Sequence, residues 1–328
     1  MADGDGEPNL STYVPCRAQL TTLKVPAGKG DTSIKVSVVI PTYNRAEILY
    51  RTLHTLFRQN DPNYEVLVSN DDSPDRYKET EKVCKDFEKQ GMPLKYFYTG
   101  QFKRGVGWSV ETYPYNVGIR HASGEIILLN SGDVMSVSNT IAQHRQRHIG
   151  ADKVYVSTVH ALTLDVQNKI ESYPWKTNPA SLLFKGSCYK MFTGYGTSYT
   201  QAYAVEDAGT PYHFQMSVRK AHLHQIRGFD EDFYGYMGCG DDDIAHRLRR
   251  FGLAFVFAEE ILAIHQHHLC VNSLSTNGVE AEVNRGVPSG HDLYQQRLSA
   301  GIVRNSSHEW GQYPRDMKNL PPMSGVVG

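Results

Sequence analysis

No two cysteines of this 328-residue chain stand in a CxxC arrangement, and the five present (Cys16, Cys84, Cys188, Cys239 and Cys270) are odd in number and scattered. That usage argues against a disulfide framework and a zinc ribbon, and it fits a reducing compartment. An excess of one charge is also missing: 34 Lys and Arg face 35 Asp and Glu, for a net of −1, so no basic field draws nucleic acid or an anionic membrane surface. No apolar run approaches the length of a membrane span, and MADGDGEPNL lacks the basic and apolar regions of a signal peptide, so no integral membrane segment and a cytoplasmic location are expected. Two phosphate-binding signatures are lacking as well. Without GxGxxG or GxxxxGK[ST] there is support for neither a Rossmann dinucleotide site nor a P-loop.

What is present is a regular alternation. Residues 1–33 are rich in Gly, Pro, Asp and Thr without periodicity and read as a loosely attached arm. IKVSVVIPTYN is then a β-branched run of the kind that forms a buried parallel strand, and RAEILYRTLHTLFRQ carries apolar residues at helical intervals. YEVLVSN, ETEKVCKDFEKQ, LKYFYTG, PYNVGIRHASG and EIILLN continue as strand, helix, strand, helix and strand. Such an order predicts an α/β fold with a parallel sheet built by right-handed crossovers, in which residues 34–150 form a nucleotide-binding half. Residues 151–269 are expected to complete the same domain as an acceptor-binding and catalytic half, with 270–328 as an extension serving as lid, oligomer arm or partner-binding segment.

Ligands of open α/β sheets bind at the carboxyl ends of the strands, and here those ends are polar. The first ends in Pro41, Thr42, Tyr43 and Asn44, the second in Asn70, Asp71 and Asp72, the fourth in Asn130, Ser131, Gly132 and Asp133. Each turn taken singly is explained by the local preference of Asn, Asp and Ser for turns; three on one edge make a site. A carboxylate after the second strand can accept hydrogen bonds from a base N–H or from ribose hydroxyls, and Asp133 could hold a cation that lets phosphates approach.

Farther on, GFDEDFYGYMGCGDDDIAHRLRRFG places three carboxylates, Asp241, Asp242 and Asp243, at the start of a helix pinned by Ile244, Leu248 and Phe251. Two readings stand beside each other. The carboxylates hold a reacting hydroxyl, or they are an acidic helix start balanced by Arg247, Arg249 and Arg250.

Together, VSVVIPTYNRAEIL, VSNDDSPD and YNVGIRHASGEIILLNSGD resemble the nucleotide-binding half of family 2 glycosyltransferases of the GT-A fold. GFDEDFYGYMGCGDDDIAHRL is similar to a motif of galactosyl- and N-acetylgalactosaminyl-transferases. The resemblance implies base contact by Asp71, nucleotide contacts from Pro41, Thr42, Tyr43, Asn44, Asn130 and Ser131, and metal binding by Asp133. It makes Asp241 the general base and Asp242 the residue orienting the acceptor. Asn130 and Gly132 stand where carboxylates are usual, Gly240 replaces a Glu, and Tyr236 and Met237 depart from a Gly-Trp pair. Related enzymes carry a metal-binding His in a sequence like A-x-H-Q, which matches Ala263 to Gln266 and makes His265 the first choice and His267 the second. Imidazole with carboxylate suits Mn²⁺, with Mg²⁺ the other candidate.

The implied reaction moves a sugar from a nucleoside-diphosphate sugar, expected to be a UDP-sugar, to a glycan or small hydroxyl acceptor. An inverting displacement is expected, retention being open to the same fold. A degenerate protein that binds sugar nucleotide or glycan without turnover is the alternative. A nucleotidyltransferase would need a basic, glycine-rich loop, where PTYNRAE offers only Arg45. FGLAFVFAEEILAIHQHH reads as a strand followed by a hairpin. Trp175 and Tyr195 either line an acceptor groove or pack within a surface insertion, and Trp108 either caps the donor or packs a sheet edge.

Overall fold

The computed structural model describes residues 32–59, 61–71, 77–99, 112–185, 188–190, 214–233, 236, 238–268, 290–305 and 309–313. Expectations for residues 1–31, Asp72, Trp108, Tyr195, Met237 and Cys270 lie outside them. Nine strands form one sheet: β1 (Val36–Thr42), β2 (Tyr64–Asn70), β3 (Leu94–Tyr98), β4 (Ile126–Asn130), β5 (Val134–Ser136), β6 (Val154–Leu162), β7 (Cys188–Lys190), β8 (Gln215–Arg219) and β9 (Phe255–His265). The described helices are α1 (Ala46–Phe57), α2 (Tyr77–Lys89), α3 (Thr112–His121), α4 (Thr140–Arg147), α5 (Leu164–Asn168), α6 (Lys220–Ile226), α7 (Gly240–Arg250) and α8 (His291–Ser299).

The spatial order is β3-β2-β1-β4-β8-β6-β9-β5, with β7 beside β6. As the alternation predicts, β3, β2, β1 and β4 run parallel. The sheet as a whole is mixed, because β8 lies antiparallel between β4 and β6, while β5 and β7 run against β9 and β6. Two reversals restore direction: β6, and β9 parallel to it, run the same way as β4. The carboxyl ends of β1, β2, β4 and β9 therefore share one edge.

Side chains alternate across the sheet with period two. Val38, Ile40, Val66, Val68, Ile126 and Leu128 face one core, closed by Leu49, Leu53 and Leu56 of α1 and by Cys84 and Phe87 of α2. Val39, Leu67, Ile127 and Leu129 face the other, closed by α3, α6 and α7 and by Trp310. The C-terminal segment is thus packed into the main core where it is described, rather than appended to it.

One sequence expectation changes here, and one open choice is decided. The stretch after residue 252 is one continuous strand and not a strand with a hairpin: its register against β6 jumps from Ser157↔Ala258 to Thr158↔Leu262, so Glu259, Glu260 and Ile261 are absorbed as a bulge. Glu260 reaches Arg147 from that bulge. Trp175 lines no groove. It is buried among Met135, Leu162, Val166, Ile170, Leu182 and Ile264, with its ring edge-on to His54 at 5.2 Å.

The opposite edge of the sheet is pinned by a buried carboxylate. Glu65 Oε1 accepts from Ser37 Oγ (2.7 Å), Ser123 N (2.6 Å) and Ser123 Oγ (2.7 Å), and Oε2 from Lys95 Nζ (2.9 Å). Burial alone would raise its pKa; these donors outweigh it and bring it to about 2. A depressed carboxylate stabilises the fold above its unfolded pKa and loses that contribution as pH falls through the folded one. Glu65→Gln should therefore cost about 3 kcal/mol at pH 7, and the gap to wild type should narrow between pH 4.5 and about 2. Urea unfolding at pH 7 and at pH 3 checks both the size and the direction.

Candidate active site

One side of the edge is built from β1 and β2. Thr42 O accepts from Asp71 N at 2.9 Å, so the two strand ends are held in register past their last paired residues. Asp71 is fully buried, and its Oδ1 lies 3.3 Å from Thr99 Oγ1. Beyond Pro41 and Thr42, both buried, the chain turns through half-buried Tyr43 and exposed Asn44, whose φ of 48° is a left-handed conformation that Asn tolerates.

Asn130 is engaged within the protein. Its Nδ2 donates to Ser131 O (2.8 Å) and Val134 O (3.2 Å), and its Oδ1 accepts from Gln215 Nε2 (2.7 Å), so the carboxamide is used in tying the β4–β5 turn to β8. Ser131 is buried, its N donating to Phe214 O at 2.9 Å. Gly132 is required by close approach: a Cβ there would lie 2.7 Å from Pro41 O, a contact that only the absence of a side chain permits. The residues standing in place of carboxylates thus carry the turn itself.

Asp133 is the centre of the site. Its side chain is 9% exposed, and Oδ2 accepts from Arg45 Nη1 at 2.9 Å and His268 Nε2 at 2.8 Å. Oδ1 accepts no hydrogen bond and lies 3.6 Å from His265 Nε2. Burial opposes ionisation, but His265, His268 and Arg45 outweigh it and hold the carboxyl well below the usual carboxylate range. Burial pushes His265 down, keeping its imidazole neutral at pH 7 with a lone pair on offer. One donor atom each from Asp133, His265 and His268 lie within 4.8 Å of one another. His267, the second choice from sequence, is outside this group, its backbone N donating instead to Gln167 Oε1 (3.0 Å).

Gln266 explains the exchange. It is fully buried, its N donating to Asp133 O (2.9 Å) and its Nε2 to Ile48 O (3.0 Å) and Thr52 Oγ1 (3.3 Å). That side chain takes the chain out of strand geometry just after His265, so the alternation of β9 no longer decides which of the next two histidines returns to Asp133.

The acidic helix start reaches the same edge. The C-terminus of α3 feeds the amino end of β4, so its start lies at the carboxyl edge, and a Cβ on Gly240 would lie 2.8 Å from Thr112 Cγ2 there. The three carboxylates divide. Asp243 is buried and donated to by Arg247 Nε at 2.6 Å, while Arg247 Nη1 donates to Gly228 O (2.9 Å) and Ile226 O (3.2 Å). Burial pushes the Asp243 carboxyl up despite that partner. Asp241 and Asp242 are half-buried, Asp242 N donating to Asp241 Oδ1 at 3.0 Å. Cys239, left-handed at φ 66°, precedes the helix, and burial followed by the charges of Asp242 and Asp241 pushes its thiol up to about 12.

Sequence reasoning missed the brace under this motif. Asn116 of α3 donates to Phe229 O (2.9 Å) and Glu231 Oε1 (2.8 Å) and accepts from Phe229 N (2.8 Å). From the C-terminal segment, Asn305 Nδ2 donates to Phe229 O (2.6 Å), Gly311 N to Glu231 Oε1 (2.7 Å), and Arg297 Nε to Asp230 Oδ2 (2.8 Å). Only the buried-sounding GF dipeptide hinted that such support was needed.

The parallel β3-β2-β1-β4 half, the polar carboxyl edge and the acidic helix start beside it fit the GT-A fold. Residues 37–183 match the model of glycosyl transferase family 2. The chain is 25% identical over 324 residues to the uncharacterized glycosyltransferase YfnE of Bacillus subtilis, covering 87% of this chain and 76% of that protein. It is 28% identical over 264 residues to the validoxylamine A glucosyltransferase of Streptomyces hygroscopicus subsp. jinggangensis, covering 74% of this chain and 59% of that protein. Among solved structures, Staphylococcus aureus TarS 1–349 in complex with UDP-GlcNAc shares the fold, with a TM-score of 0.53 at 17% identity over 84% of this chain and 68% of that one. Residues 37–183 thus carry the likeness to glycosyl transferase family 2, and the relatives along the rest of the chain are glycosyltransferases as well.

The division among the three carboxylates is measurable. Asp243→Ala leaves Arg247 buried without its counter-charge and should cost about 3–5 kcal/mol in urea unfolding, whereas Asp241→Asn removes one charge from a helix start and should cost under about 1 kcal/mol.

Proposed function

We propose that the protein transfers a sugar from a nucleoside-diphosphate sugar, a UDP-sugar in the first instance, to a hydroxyl acceptor by a single inverting displacement. The observation that carries this reading is the gathering of Asp133, His265 and His268 on the sheet edge that also holds Asp71 and the start of α7. Residues 34–150 supply the donor half: Asp71 accepts hydrogen bonds from the base, with Pro41, Thr42, Tyr43, Asn44 and Ser131 around it. Residues 151–269 supply the acceptor half. Balanced charge and scattered cysteines suit work in the cytoplasm.

The Asp133 group fits a divalent cation: one anionic oxygen with an unused lone pair beside two imidazoles, a donor set suited to Mn²⁺ ahead of Mg²⁺. When bound, such an ion neutralises charge on the departing diphosphate as a Lewis acid. The chain's own part is to hold the ion and move the proton. An ionised Asp133 accepts a hydrogen bond from His268 Nε2, so ligation through that atom requires His268 to carry its proton on Nδ1 instead. Asp241 takes the acceptor's proton as its oxygen forms a bond to the anomeric carbon and the bond to the diphosphate oxygen breaks on the opposite face. Asp242, one residue along the same turn, orients the acceptor, and Asp243 with Arg247 keeps the helix start rigid beneath both.

Asp241→Asn should lower kcat by about 10² to 10⁴ with donor binding unchanged; near-wild-type turnover would remove Asp241 as the base. Donor class and metal are tested by thermal stabilisation with UDP-, GDP-, dTDP- and CDP-sugars, each with Mn²⁺ and with EDTA, since a ligand of the native state raises its stability by mass action. A shift with UDP-sugars that EDTA abolishes is the expected outcome. An equal shift in EDTA overturns the metal reading, and binding with no transfer to any acceptor points to a donor-binding protein without turnover.

A further inference from the structure

Asp133 already has a cation. Arg45 Nη1 sits 2.9 Å from Oδ2, the oxygen that His268 also engages, while Oδ1 faces His265. One guanidinium therefore balances the carboxylate, and a divalent ion entering among Asp133, His265 and His268 would meet that charge at close range in a largely buried site. The two cations compete for a single carboxylate. Arg45 is placed to yield: it is the residue before α1, its side chain is 33% exposed, and its backbone O accepts from Leu49 N whatever the side chain does. Released from Asp133, a guanidinium at this edge has one strong use, the paired oxygens of a diphosphate, which its planar fork matches.

We infer that Arg45 is the resident counter-ion of Asp133 while the donor is absent and exchanges onto the donor's diphosphate when metal and nucleotide bind. The inference rests on the metal reading above. Arg45 then opposes the metal when the metal comes alone, and supports the nucleotide once both are bound, which makes loading ordered: the ion is held poorly until a diphosphate draws the guanidinium away. No bond is made or broken in the exchange; one ion pair replaces another.

The test titrates the full-length chain with Mn²⁺ alone, by calorimetry and by the loss of the free-ion paramagnetic resonance signal, and then with UDP at saturating Mn²⁺. Arg45→Gln should bind Mn²⁺ alone at least about fivefold more tightly than wild type, the lower end of the range for coupled sites. The same variant should bind UDP about tenfold or more weakly, as loss of a charge-assisted pair requires. Arg45→Lys, which keeps the charge without the fork, should match wild type toward Mn²⁺ and fall between the two toward UDP. Unchanged or weaker Mn²⁺ binding by Arg45→Gln, or unchanged UDP affinity, overturns the exchange. If wild type binds UDP equally in Mn²⁺ and in EDTA, the metal reading fails and the exchange with it; if wild type needs Mn²⁺ and Arg45→Gln matches it in both titrations, the exchange alone fails.

Discussion

A buried negative charge must be paired or it will not stay charged, and at Asp133 that requirement joins three parts of the chain. Arg45 comes from the start of α1, Asp133 itself from the β4–β5 turn, and His265 and His268 from the end of β9 and just beyond it. Gln266 ties the same junction back to α1 through Ile48 O and Thr52 Oγ1. Assembly of the site and closure of the fold's two halves are consequently one event. At the far edge of the sheet Glu65 plays the matching part with hydroxyl, amide and ammonium donors, and Arg145 of α4 closes on Asp61, Ile34 O and Asn63 O. The edges differ in one respect that matters for chemistry: Glu65 has each oxygen hydrogen-bonded, whereas Asp133 keeps one oxygen without a donor.

The acidic helix shows the same separation of structural from available charge. Asp243 is consumed by Arg247, which in turn holds the carbonyls of Ile226 and Gly228 and so fixes the turn that precedes the helix. Asp241 and Asp242 sit higher on the helix start and are reached by solvent. Neighbouring identical residues thus have opposite duties, set by one helical step. Of the two readings that sequence alone leaves standing, the acidic helix start describes Asp243, which Arg247 engages, while Asp241 and Asp242 stay half-buried at the first turn.

Strands, helices and the edge on which they converge were legible because hydrophobic periodicity and polar strand ends report local geometry directly. Asp71 and Asp133 follow from that geometry. The choice between His267 and His268 did not, since it depends on where a single buried glutamine sends the chain after β9. Trp175 kept two readings for a related reason: an aromatic in a tyrosine-rich stretch looks available to sugar, and only the closing of Met135, Leu162 and Leu182 around it decides for packing. Glu259 and Glu260 imitate a turn because a bulge and a turn both need polar residues. The C-terminal brace was invisible, as Asn305, Gly311 and Arg297 make contacts about 65 to 80 residues away in sequence.

Three of the departures from the resembled pattern, Asn130, Gly132 and Gly240, bear on whether the site has decayed. A decayed site leaves polar groups stranded or space unfilled, for nothing selects the geometry once the ligand is gone. Here Asn130 has both its amide and its carbonyl engaged. Gly132 lets the turn approach Pro41 O to a distance no side chain would allow, and Gly240 does the same for α7 against Thr112. The backbone at Gly132 and at Gly240 thus lies too close to Pro41 and Thr112 for a side chain to fit unchanged. Losing carboxylates beside Asp133 also lowers the negative charge that a cation must otherwise neutralise before a diphosphate can approach. Arg45 already balances the single carboxylate, so a cation added beside Asp133, His265 and His268 would leave positive charge in excess there, which is the electrostatic condition that holding a departing nucleoside diphosphate demands.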